Sequence, residues 1–376
     1  MPAQSSADAE AAASRASSPS AAASQAGCSQ VGGARPQAGG PQAPAAPQAG
    51  GPQAPAAPQA GAPLRIAFLG PFGTFTEQAV RQVASPDAVL LPMTSAPQAL
   101  AAVRNGQADR AVVPIENSIE GGVNATLDAL AHGQPLVIVG EMHVSVVFQL
   151  AVRPGTTPEQ VRRIGTHPHA WAQCRGWVES TFPGAVHVPA TSTAAAAQLL
   201  SQGEAGFDAA LCNAVSVSSY GLQALYQDVA DNPGAVTRFV LVSRPGSLPA
   251  PTGADKTTIQ VALPVNESGA LLTMLEQFAV RGVDLSRIES RPSGDGLGNY
   301  EFSIDIVGHV SEERVQAALV GLHRHSPWVR FMGSYPRIDG VANVPAVGTS
   351  DDAFRSARNW VEGLLAGRAD IGRREI

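Results

Sequence analysis

The chain is poor in cysteine, in charge and in aromatic side chains: 3 Cys, 15% Asp, Glu, Lys and Arg together, and 5% Phe, Trp and Tyr over 376 residues. Cys28, Cys174 and Cys212 form an odd set with no C-x-x-C spacing. That argues against a disulfide framework or a zinc knuckle and suits a reduced, cytoplasmic compartment. No apolar run reaches the roughly 18 residues needed to cross a bilayer, and the N-terminus lacks the apolar segment of a secretory signal. The net charge of -6 speaks against a nucleic-acid or anionic-membrane partner, so an acidic substrate needs a local positive site. Neither H-E-x-x-H nor a paired carboxylate–histidine spacing occurs, which argues against a catalytic metal. What is present is 44% apolar residues and enough length for two or three domains.

Residues 1–62 are Ala, Ser, Pro, Gln and Gly with almost no large apolar side chains, and GGPQAPAAPQA occurs twice between Gly39 and Ala60. Such a segment cannot offset the entropy of ordering and is expected to be a disordered tail. Asp8, Glu10 and the scarcity of Arg count against a transit peptide.

From Leu64 the pattern alternates strand and helix. Strands are predicted over 64–69, 88–91, 111–115, 136–139, 144–152, 164–166, 186–189, 209–212 and 237–242, and helices over 77–83, 97–105, 158–163, 170–180 and 193–202. This is an α/β domain over 64–243 whose length suits two lobes with a cleft between them. A Pro/Gly/Ser-rich linker, 244–255, leads to a module over 256–337 with the βαββαβ order of an α+β ferredoxin-like sandwich. The tail, 338–376, carries a helical pattern over 351–366.

The organising stretch is 111–130, AVVPIENSIEGGVNATLDAL. A short apolar strand ends in the polar run Glu116, Asn117 and Ser118, then Gly121 and Gly122 precede a helix. In an open α/β sheet such a junction opens on the crevice beyond the strand ends, where ligands sit. The same spacing also fits an ordinary strand-to-helix turn capped by Ser118.

Several motifs then fall in a familiar order: Gly70, Pro71, Gly73, Thr74, Phe75, Thr76, Glu77; Val113 to Ser118 with Glu120 and Gly121; Thr126, Leu127, Asp128; His167 and Pro168 with Ala172, Gln173, Cys174; Ser192, Thr193, Ala194; Tyr220, Gly221, Leu222; Thr237, Arg238, Phe239; Gly269, Ala270, Leu271; and Glu289, Ser290, Arg291, Pro292. The ordered set resembles the monofunctional prephenate dehydratases with a C-terminal ACT regulatory domain. That resemblance implies a bilobal catalytic domain like type 2 periplasmic binding proteins, an ACT domain, and conversion of prephenate to phenylpyruvate, water and CO2 on the route to phenylalanine. It also implies no metal or organic cofactor, prephenate as substrate, L-phenylalanine as feedback effector, and a homodimer or homotetramer.

The resemblance further assigns roles. Thr237 would hydrogen-bond the departing ring hydroxyl, with Asn117 and His169 also catalytic. Thr74, Glu116, Ser118, Thr166, Ser192, Thr193, Arg238 and Phe239 would bind substrate, Arg238 either as a charged anchor or as a salt bridge ordering its strand. Gly269, Ala270, Leu271, Leu272, Glu289, Ser290, Arg291 and Pro292 would hold the effector. Three positions depart from the family pattern: Phe72 stands where Glu is usual, Ala235 where Asn commonly precedes the Thr-Arg-Phe run, and His169 where a Gln follows His167 and Pro168. His169 either faces substrate or caps the helix near Ala170. Two other readings compete: an arogenate dehydratase of the same fold, and a non-catalytic amino-acid sensor.

Overall fold

A computed structural model of the chain describes residues 62–263, 267–293 and 299–368. The expected tail and Cys28 therefore lie outside the described residues, save for Ala62. The first lobe comprises β1 (Arg65–Leu69), α1 (Phe75–Val83), β2 (Val89–Met93), α2 (Ala96–Arg104), β3 (Arg110–Asn117), β4 (Gly121–Gly122), α3 (Asn124–Ala131) and β5 (Val137–Ser145). The chain crosses to a second lobe: β6 (Gln149–Val152), β7 (Arg163–Thr166), α4 (Pro168–Thr181), β8 (Val186–Pro189), α5 (Thr193–Gln202), β9 (Ala209–Cys212), α6 (Ala214–Ser219) and β10 (Gln223–Tyr226). β11 (Val236–Ser243) carries it back.

Sheet order in the first lobe is β2-β1-β3-β11-β5 with β4 paired to β3, and in the second β10-β6-β9-β7-β8. β1 runs parallel to β2 and β3, whereas the returning β11 is antiparallel to both of its neighbours. β1 is buried through its centre, as a strand covered on both faces should be. β2 tolerates Pro92 because it is an edge strand.

β12 (Asp255–Ala262), α7 (Ala270–Ala279), β13 (Leu285–Pro292), β14 (Tyr300–Val307), α8 (Glu313–His325) and β15 (Val329–Pro336) follow, and their antiparallel sheet has the order β13-β14-β12-β15. This is the ferredoxin-like arrangement read from the sequence. Its helix side buries Phe278, Ile304 and Leu322. Met332 and Tyr335 of β15 instead join the core of the first lobe, beside Ile138 and Val240. α9 (Asp351–Leu365) is tied to α8, where Glu313 pairs with Arg358 and its backbone N–H donates to Asp351 Oδ1.

Some elements differ from the pattern. The separate strands expected over 136–139 and 144–152 are one strand, β5, then a crossing, then β6. Glu141, in the gap between those two expected strands, is buried in mid-strand, paired with Arg238 and Lys256. The helix expected over 158–163 is only a 3-10 turn at Pro158–Gln160. α6 and β10 have no counterpart in the expected pattern. The presumed linker is pinned by Arg244, whose Nη1 donates to the carbonyls of Val103 at 2.7 Å and Ala108 at 3.2 Å.

Candidate active site

Between the lobes lies a cavity of about 780 Å³. Three helices begin at its wall, each with its own cap. Thr74 Oγ1 accepts from Glu77 N ahead of α1, His167 Nδ1 accepts from His169 N ahead of α4, and Ser192 Oγ accepts from Ala195 N ahead of α5. Caps satisfy one orphan N–H each, and the remaining dipole favours negative charge at these ends. No lysine or arginine is among the described residues lining the cavity. Positive potential at its wall is therefore left to the helix N-termini.

Thr237 opens β11 directly opposite Asn117 at the end of β3. Asn117 Nδ2 donates to Thr237 Oγ1 at 2.9 Å, while Asn117 Oδ1 accepts from the backbone N–H of Ile119 at 2.9 Å and of Glu120 at 3.2 Å. The amide is thus oriented by the hairpin, and the threonine lone pair is occupied. The Thr237 hydroxyl hydrogen remains to point at a guest in the cavity.

Two sets of contacts join the lobes over this site. Ser216 Oγ donates to the Gly73 carbonyl at 2.7 Å, and Tyr220 OH to the Phe72 carbonyl at 2.8 Å. Gly73 has φ 87°, and a Cβ there would stand 2.9 Å from Ser216 Oγ, so glycine is required twice over. Across the cavity, His169 Nδ1 lies 2.7 Å from Glu120 Oε2, and Gln173 Nε2 donates to Glu120 Oε1 at 2.9 Å. Phe72, which replaces the usual Glu, is 43% exposed and stands edge-on to Phe68 at 5.5 Å. It adds an apolar wall.

Of the residues assigned from sequence, the cavity gathers Thr74, Asn117, His169, Ser192, Thr193 and Thr237. It does not gather Glu116, Ser118, Thr166, Arg238 or Phe239, and for each a competing bond or burial explains why. Arg238 is 6% exposed and spends its guanidinium on Glu141 Oε2 (2.7 Å), Asp305 Oδ2 (2.5 Å), Tyr335 OH (2.8 Å) and, at 3.4 Å, Glu116 Oε2. It is a salt bridge between the lobe and the ferredoxin-like sheet, and the anchoring alternative falls. Ser118 caps no helix; its Oγ accepts from Val236 N at 3.0 Å and fastens the start of β11. Thr166 is fully buried and donates to the Leu211 carbonyl, and Phe239 is core. His167 supplies the α4 cap, so His169 is free to face Glu120.

Glu120, Gln173 and Thr94 line the cavity although the sequence reading gives them no site role, and so does His167, which that reading takes as structural. Glu120 had a signal: it follows the Glu-Asn-Ser run by two residues and faces a His and a Gln spaced i and i+4 on one helix. Burial lowers the pKa of His167, helped by its neighbour His169 and opposed by Glu120. Cys174 and Cys212 are buried and their thiols pushed up to about 12, so neither is a nucleophile at neutral pH. Among the described residues no group of three His, Cys, Asp or Glu could hold a metal ion.

The candidate effector residues split. Gly269 and Ala270 border a cavity of about 220 Å³ at the start of α7, whereas Leu271 and Leu272 are exposed. Along β13 burial alternates, leaving Ser290 and Pro292 exposed. Glu289 and Arg291 point the other way. Arg291 pairs with Asp128 of α3 at 3.0 Å, and the Glu289 carboxylate lies where a Cβ on Gly122 would be, 2.8 Å away. Those two residues contact the lobe that carries Asn117, not the cavity at α7.

The sequence model described as prephenate dehydratase matches residues 66–247. A prephenate dehydratase of Mycolicibacterium vanbaalenii is 46% identical over 317 residues, covering 81% of this chain and 99% of that protein. A solved prephenate dehydratase of Arthrobacter aurescens, in complex with L-Phe, is 54% identical with a TM-score of 0.78, covering 81% of this chain and 100% of that one. A further solved structure, GqqA, described as a novel type of quorum quenching acylase, is 34% identical with a TM-score of 0.65 over 72% of this chain and 97% of that one. Identity at this level along nearly the full length of such a relative, on a cleft built around Asn117 and Thr237, places the chain in the prephenate dehydratase family.

Proposed function

We propose that the cleft holds prephenate with its ring hydroxyl at Thr237 and its carboxylates toward the N-termini of α1, α4 and α5, and that the product is phenylpyruvate. The observation that carries this is the Asn117–Thr237 hydrogen bond at 2.9 Å, in which a cavity-lining threonine only accepts and so keeps its hydroxyl hydrogen for a guest. In the reaction the bond from the ring to its carboxylate breaks and CO2 departs. That electron pair enters the ring as the C–O bond opposite breaks, and the leaving oxygen takes one proton to become water. Aromatisation drives the step, so the protein's work is orientation and stabilisation of the leaving oxygen. Thr237 donates a hydrogen bond to that oxygen and solvent supplies the proton. Thr74, Ser192 and Thr193 offer neutral donors, each contributing roughly 1.5–3 kcal/mol to a charged acceptor.

The ferredoxin-like module, an ACT domain, is assigned L-phenylalanine as feedback effector, with Gly269, Ala270 and Ser290 at its site and Glu289 and Arg291 carrying the response to α3 and β4. The proposed divisions are 64–243, 244–255, 256–337 and 338–376, the assembly a homodimer or homotetramer, and the compartment the cytoplasm. An acylase reading finds no support, because among the described hydrogen bonds no cavity hydroxyl is bonded to a histidine that could activate it. The test is a product assay on the full chain with prephenate and arogenate offered separately, with and without L-phenylalanine. Phenylpyruvate formation suppressed by L-phenylalanine supports both assignments; no product from either acid would favour a sensor.

A further inference from the structure

We infer that the Glu120–His169 pair is the element of this cleft that selects the 2-oxo side chain of prephenate over the 2-amino side chain of arogenate. The inference rests on the reading above and deepens it. The two acids differ by one ammonium group, and an ammonium is held best by a carboxylate. Glu120 is the one carboxylate among the described residues lining the cavity. Both of its oxygens are occupied from the opposite lobe: Oε2 by His169 Nδ1 at 2.7 Å, Oε1 by Gln173 Nε2 at 2.9 Å.

Left free, this carboxylate would repel a dianionic guest and attract an ammonium. Engaged by two donors, both of its oxygens already hold hydrogen-bond partners, so an ammonium has to compete with them. The donors sit i and i+4 at the start of α4, so one helix face delivers both at once. Glu120 is also tied to the reacting group, since its backbone N–H donates to Asn117 Oδ1, whose amide holds Thr237. Its side chain is 38% exposed and that of His169 67%, so the pair stands at the mouth, where a side chain leading away from the ring would pass. His169 occupies the position where the family pattern has Gln, and either residue donates one hydrogen bond to Glu120. A residue with no donor would release Oε2.

The test measures kcat/KM for prephenate and arogenate side by side on the full chain, for wild type, His169→Ala, His169→Gln, Glu120→Gln and the double variant Glu120→Gln/His169→Ala. His169→Ala should move the arogenate-to-prephenate ratio upward by about tenfold, the lower end of what one hydrogen bond to a charge supplies. His169→Gln should return it to within about twofold of wild type, and the double variant should cancel the gain, since the charge is then gone. If the pair only closes the lobes, both substrates lose rate together and the ratio stays fixed, which overturns the inference. So does a gain that survives in the double variant. Should wild type turn over neither acid, the dehydratase reading fails by itself. Equilibrium binding of the two acids to the same five proteins then reads the selectivity directly, with the same ratios required.

Discussion

At the scale of single residues, the reaction depends on how one hydroxyl is presented. Thr237 and Asn117 are far apart in the chain but directly paired in the ladder between β3 and β11. Both were visible as motif residues; their hydrogen bond was not, because strand pairing across such a distance leaves no local trace. Thr237→Ala should lower kcat by about a hundredfold or more, the lower range for a group positioned to assist a leaving oxygen, while leaving the thermal midpoint unchanged. Near-normal turnover would remove Thr237 from the mechanism. Arg238, by contrast, could have been excluded from the cleft by sequence alone: successive strand side chains point to opposite faces, so if Thr237 faces the cavity its neighbour does not. His167 gives a pH test. Its pKa lies below the ordinary histidine range because burial, and then His169, disfavour the cation. A depressed base binds fewer protons folded than unfolded, so its contribution is full above the unfolded value and is lost as pH falls toward the folded one. The neutral ring is also what accepts from His169 N. Turnover should thus decline on the acid side, at pH values below the ordinary histidine range, and His167→Asn, a cap that does not titrate, should flatten that limb. A limb identical in the variant would assign the decline to another group.

At the scale of elements, β11 is held from both sides. Thr237 faces the cleft, and Arg238 locks the same strand to β14 and β15 through Asp305 and Tyr335. Burial works against ionisation of Asp305, but the guanidiniums of Arg238 and Arg287 more than offset it and hold the carboxyl well below the usual range. Removing one partner of such a buried cluster strands the others. Asp305→Ala should therefore cost about 3–5 kcal/mol in denaturant unfolding and, through β11, reduce kcat as well. A loss under about 1 kcal/mol would show the surviving charges rehydrating instead. The buried ions also explain why parts of the fold were illegible. Glu141 falls in the gap between the strands expected over 136–139 and 144–152, yet it is half of a pair whose partner, Lys256, lies on another element. Long apolar strands such as β1 and capped helices such as α2 and α5 were legible because their signals are local. Ser95 caps α2, and Gly203 in the left-handed region ends α5.

On the scale of the whole molecule, the question is how a ligand at the start of α7 could alter a hydroxyl between two distant lobes. β13 offers a route because its alternation serves two surfaces at once. Ser290 and Pro292 are exposed on one side, while Arg291 pairs with Asp128 of α3 and Glu289 abuts Gly122 of β4, the strand that completes the hairpin around Asn117. The half-exposed Arg291–Asp128 pair contributes little stability on its own, which suits a contact that must break and re-form. Coupling between two sites typically amounts to about 1–3 kcal/mol, so a strut of this kind is large enough to carry a measurable share. Arg291→Ala should leave L-phenylalanine affinity, measured by calorimetry on the free enzyme, within about twofold of wild type, but weaken its inhibition of turnover by about three- to tenfold. Reciprocity sets a second reading: a substrate analogue that weakens L-phenylalanine binding to wild type should weaken it less in the variant, by the same factor. Inhibition and affinity falling together would place Arg291 at the effector itself, as the motif alone suggests. Inhibition unchanged in both would move the route to the buried Arg238–Asp305 lock, where Asp305→Asn, retaining shape without charge, should then reduce inhibition in its place.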